Sequence, residues 1–93
     1  MTAVERVVPI VNPLGLHARP AAEFVKLASG FRAEIQVEKD GMQVNGKSIM
    51  GVMTLAAECG SALLIRASGD DAEAALTALA DLVARGFDEA YDE

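Results

Sequence analysis

An α+β fold, with an antiparallel sheet covered by helices on one face, is predicted by three features of the 93-residue sequence. Strand-like and helix-like apolar patterns follow one another in the order βαββαβα. Asp40-Gly41 supplies a two-residue hairpin turn between two short strands. The strand before that turn is apolar on one side only, the pattern of a sheet with one wet face.

Residues 4–11 are rich in β-branched side chains and read as a strand; Pro9, which cannot donate to a ladder, puts it at a sheet edge. Asn12-Pro13-Leu14-Gly15 is turn chemistry. A helix is predicted over residues 18–29, where Ala21, Phe24, Val25 and Ala28 recur at i, i+3, i+4 and i+7, with Gly30 as a left-handed terminator. In residues 32–39, Ala33, Ile35 and Val37 alternate with Arg32, Glu34, Gln36 and Glu38. Residues 42–45 return antiparallel, and Gly46 ends them. Ser48 is placed to cap a short helix with Ile49, Val52, Met53 and Ala56 on one side and Met50 facing elsewhere. Residues 62–67 form a short apolar run that reads as a central strand. The last helix, residues 71–85, buries Ala72, Ala75, Leu76, Leu79, Leu82 and Val83, and Gly86 stands beyond its end. A packed Phe87 and a fraying acidic tail complete the chain.

This length suits one domain, residues 1–93, burying roughly 65% of its extended surface. Hydrophobic residues are 52% and charged residues 24%, as in a soluble globular chain. The formal charge of −6 and the scarcity of aromatic side chains argue against nucleic acid, which needs a basic face or stacking platforms. No stretch approaches the ~18 apolar residues that span a bilayer, so no membrane insertion is expected. A lone Cys59 cannot pair internally and fits a reducing, cytoplasmic setting; a buried, inert thiol is expected. One His and one Cys far apart give no metal constellation, and no nucleotide or dinucleotide fingerprint implies a cofactor.

The chemistry centres on Gly15-Leu16-His17-Ala18-Arg19-Pro20-Ala21, which holds the only histidine. Pro20 suits a first helical turn, so His17 lies at or just before a helix N-terminus with Arg19 beside it. Unpaired amide groups and the positive end of the dipole converge there into an anion site. The dipole and the Arg19 charge both favour the neutral ring, whose nitrogen is a nucleophile. An anion pocket beside a nucleophile points to phosphoryl chemistry. A ring walled into the interior, or held permanently cationic by a carboxylate, would defeat that reading. So would a His17 that is simply a solvent-exposed helix start. Ser48 has two roles open to it, a plain cap or a phosphorylation site. Met50 is expected to be exposed in a docking patch with Leu16, while Ile49 and Met53 are partly buried.

The stretch around His17 resembles the active-site motif of the histidine-containing phosphocarrier family of the bacterial phosphotransferase system. Lys47-Ser48-Ile49-Met50-Gly51-Val52-Met53 is similar to that family's second motif, around its regulatory serine. The resemblance spans nearly the whole chain, with both motifs in register. It implies an open-faced β-sandwich: four antiparallel strands in the order 1-4-2-3, covered on one face by three helices. It implies a phosphoryl group passing from phosphoenolpyruvate by way of Enzyme I to Nδ1 of His17, and onward to an Enzyme IIA protein. Arg19 would stabilise that group. Ser48 would be the target of the HPr kinase/phosphorylase, and its modification would impair transfer. Leu16, Ile49, Met50 and Met53 would dock partners, and a monomer is expected. Gly46 departs from the bulkier residue often found there, and the Phe87-Asp88-Glu89 segment resembles the nitrogen-related branch, so the sugar and nitrogen branches both stay open. Two other classes compete: a regulatory module acting only through phosphorylated Ser48, and a metabolite-binding module that dimerises through its sheet.

Overall fold

In the computed structural model, which describes residues 3–89, four strands and three helices alternate as the apolar pattern requires. Strand β1 spans Ala3–Pro9, helix α1 Ala18–Ser29, β2 Glu34–Lys39, β3 Met42–Asn45, α2 Ile49–Thr54, β4 Ala62–Ser68 and α3 Ala72–Ala84. A short chain reversal, Gly86–Asp88, follows α3, with Phe87 in left-handed geometry (φ 59°, ψ 24°). The sheet order is β1-β4-β2-β3 and every pairing is antiparallel. Edge strand β1 therefore carries Pro9, where a missing N–H costs the ladder nothing.

Period-two alternation sets the two faces of the sheet. Ile35 and Val37 of β2, with Leu63, Ile65 and Ala67 of β4, are buried against Phe24 of α1 and Leu79 and Val83 of α3. On the opposite face Glu5, Arg66 and Gln36 stand side by side across three strands, and Arg66 Nε donates to Glu5 Oε1 at 2.9 Å. Asp40 and Gly41 both have positive φ, 54° and 85°, which joins β2 to β3 as the hairpin reading expects. Gly46 is packed so tightly that a β-carbon on it would stand 2.5 Å from Ile35 Cγ2, which accounts for the absence of a bulkier side chain there.

Three local expectations need correction. Gly30 is right-handed (φ −78°), because α1 closes through 3-10 type bonds from the Gly30 and Phe31 amides to Leu27 and Ala28. Helix α2 buries Val52, with Leu55 buried just beyond it, while Ile49, Met53 and Ala56 face outward. Fewer than two turns gives too short a window for a 3.6-residue period to choose a face. Cys59 is exposed, since it lies in the turn that leads into β4 and not in a packed element. Phe87 is buried as expected. The acidic segment after it folds back as far as Glu89, and the remainder of the predicted tail lies outside the described residues.

Candidate active site

The chain reaches His17 through two turns. The Gly15 amide donates to the Asn12 carbonyl at 3.0 Å, closing the Asn12–Gly15 turn. Gly15 then takes φ +67°, and the Leu16 amide bonds the Ala57 carbonyl at 2.8 Å. That bond turns the Leu16 side chain into the core, where it is 4% exposed. Leu16 therefore backs the site from beneath and is not part of a docking surface. Leu14, two residues earlier and 75% exposed, takes the outward position.

His17 is the N-cap of α1, with extended backbone (φ −76°, ψ −173°), and its carbonyl accepts the first helical bond, from the Ala21 amide at 3.0 Å. The ring makes no capping bond. Pro20 lacks an N–H, so the amides of Ala18 and Arg19 are the ones the first turn leaves without helical partners. Arg19 is exposed, and among the described residues no carboxylate forms an ion pair with it. Its exposed guanidinium fork suits an incoming anion.

The imidazole keeps 36% of its surface and is not walled in. It does meet a carboxylate: Nε2 lies 2.8 Å from Glu89 Oε2. The Nε2–H of a neutral ring is enough to make that bond, and when it does the lone pair resides on Nδ1. Among the described residues Nδ1 has no hydrogen-bond partner. The second Glu89 oxygen, Oε1, accepts from Asn12 Nδ2 at 2.9 Å, and the same Nδ2 donates to the Gly15 carbonyl at 2.8 Å. Asn12 is completely buried. Asn12 and Glu89 are the site residues that the sequence reading missed. Asn12 read only as a turn former, and Glu89 only as one acid in a terminal cluster.

Ser48 caps α2 as the sequence predicts, its Oγ accepting the Gly51 amide at 3.1 Å. Met50 is 77% exposed, and Ile49 and Met53 are exposed as well. Helix α2 packs beside α1, so the Ser48 helix and the helix that begins at His17 belong to one surface of the molecule.

The family model for the phosphotransferase-system HPr component phosphorylation site matches residues 4–85. The phosphocarrier protein HPr of Cupriavidus necator is 43% identical over 86 residues, covering 92% of this chain and 97% of that protein. The crystal structure of HPr from Thermoanaerobacter tengcongensis superposes with a TM-score of 0.90 at 49% identity, covering 94% of this chain and 98% of that one. Crh of Bacillus subtilis, described as a domain-swapped dimer, aligns at 43% identity with a TM-score of 0.73 over 89% of this chain and 95% of its own. Since one relative is a dimer, membership of the family does not fix the expected monomer. The chain belongs to the HPr family, the phosphocarrier proteins of the phosphotransferase system.

Proposed function

We propose that the chain accepts a phosphoryl group on His17 from Enzyme I, ultimately from phosphoenolpyruvate, and passes it to an Enzyme IIA protein. The observation that carries this reading is a part-exposed histidine at a helix N-terminus whose Nε2 is occupied while Nδ1 has no partner among the described residues. In the transfer, the Nδ1 lone pair forms a P–N bond as the P–N bond to the donor's phosphohistidine breaks, and that electron pair returns to the donor ring. Charge spreads over the equatorial oxygens, where the Arg19 fork and the Ala18 and Arg19 amides offset it. An open site suits a carrier, which must release the group as readily as it takes it.

Incubation with phosphoenolpyruvate and Enzyme I, followed by mass spectrometry, should label the wild type and not His17→Ala. Equal labelling of both would end the proposal.

Ser48 is proposed as a regulatory phosphorylation site for an HPr kinase/phosphorylase, with Ile49, Met50 and Met53 as partner contacts and a monomer as the working form. Ser48, at the N-terminus of α2, carries a second reading, in which the chain acts mainly through phosphorylation of that serine. Mild acid separates the two: a phosphohistidine adduct is lost and a phosphoserine survives.

A further inference from the structure

We propose that Glu89 is a positioning residue for transfer at His17, and that Asn12 holds it in place. Glu89 fixes the ring as the tautomer protonated on Nε2 and offsets the charge the ring gains when Nδ1 is phosphorylated. The proposal rests on the phosphocarrier reading and adds two residues to it.

The geometry is specific. One Glu89 oxygen faces His17 Nε2 at 2.8 Å and the other faces Asn12 Nδ2 at 2.9 Å. The Glu89 side chain is only 13% exposed, so water does little to weaken its pull on the ring. Asn12 can face this way in one orientation only. Its Nδ2 meets two acceptors, Glu89 Oε1 and the Gly15 carbonyl, and a flipped amide would set its own oxygen against both. Among the described residues the buried Oδ1 has no partner, so Asn12 holds two acceptors while one of its own groups stays unsatisfied by them.

The backbone that delivers Glu89 is strained in the same cause. Gly86, Phe87 and Asp88 have φ of 66°, 59° and 59°, three left-handed residues in succession, two of them bearing side chains. They reverse the chain after α3. Phe87 anchors the reversal in the core, and Arg85 Nε clamps Asp88 Oδ1 at 3.0 Å. Glu89, the next residue, is thereby laid against a ring 72 positions earlier.

During transfer no proton need move. Nδ1 gains the P–N bond and the donor nitrogen recovers its electron pair. The proton on Nε2 stays, and the ring acquires one positive charge facing the Glu89 carboxylate. A carboxylate that accepts from one ring nitrogen fixes the tautomer and leaves the lone pair on the other nitrogen.

The test combines ¹⁵N spectroscopy of the imidazole with single-turnover transfer from phosphorylated Enzyme I, on wild type, Glu89→Gln, Glu89→Ala and Asn12→Ala. The wild type should be almost wholly the Nε2–H tautomer. Glu89→Ala should shift toward the mixture of a free imidazole and transfer about tenfold or more slowly, the range usual for outer-shell partners. Glu89→Gln, which can still accept the Nε2–H bond, should keep the tautomer and lose rate through its missing charge. It also keeps the side-chain shape, so the result stands if the alanine variant proves unstable. Asn12→Ala should move both readouts in the Glu89→Ala direction. Wild-type tautomer and rates within twofold in both Glu89 variants would overturn the proposal while leaving the carrier reading intact. A wild type that Enzyme I never phosphorylates would overturn both.

Discussion

Gly15 lies so close to Ala57 that a β-carbon on it would stand 2.3 Å from the Ala57 carbonyl oxygen. That same oxygen receives the Leu16 amide, so the approach of these two loops sets the backbone immediately before His17. Gly15→Ala meets both a positive φ and this clash. It is expected to destabilise the fold by about 2–4 kcal/mol in urea unfolding. It should also slow phosphorylation of His17 in the fraction that stays folded, because the ring is carried on the displaced segment.

At Ser48 stability and regulation can be separated. Ser48→Ala removes the oxygen that accepts the Gly51 amide, and should cost about 1 kcal/mol. Ser48→Asp keeps a capping oxygen and should unfold close to wild type. Its added negative charge on the α2 surface should nevertheless slow transfer to His17. Unchanged single-turnover rates in the aspartate variant would argue against regulation through this residue.

Asp71 ties the start of α3 to the entry of β2. Its carboxylate is held below its ordinary pKa first by the Arg32 amide, and further by the Ala33 amide, with burial opposing both. Because the folded pKa is depressed, its contribution is present above the unfolded value near 3.8 and is lost as pH falls through the lower folded value. The thermal midpoint of wild type should therefore exceed that of Asp71→Ala at neutral pH, and the gap should close in the acid limb below about pH 4. A gap that stays constant to pH 2 would contradict the assignment.

Most of the fold was legible because it rests on local rules. Alternation in Ala33, Ile35 and Val37 chose the buried face, Asp40-Gly41 fixed the hairpin, and Pro9 fixed the edge. At the site, a lone histidine before Ala18-Arg19-Pro20 gave the helix start and its amides. What escaped were contacts made by the chain closing on itself. Glu89 is 72 residues from His17 and reaches it only through the left-handed run at Gly86–Asp88, for which Phe87 and Asp88 give no sequence signal. Leu16 sits in a loop with no period to read, and its inward direction comes from the bond to Ala57.

That inward direction makes the last prediction decisive for partner docking. Leu16 lies in the core cluster, so Leu16→Ala leaves a cavity and should cost about 2–5 kcal/mol in unfolding. Met50, 77% exposed, contributes little to the core, and Met50→Ala should leave stability within about 0.5 kcal/mol. If α2 is a partner contact, Met50→Ala should raise the KM for phosphorylation by Enzyme I several-fold with little change in kcat, as expected when an exposed apolar anchor is lost. Leu16→Ala should instead lower the folded fraction without a selective effect on KM. A Met50 variant with wild-type KM toward both Enzyme I and an Enzyme IIA acceptor would move the contact away from α2, toward Leu14 and Arg19 beside the histidine itself.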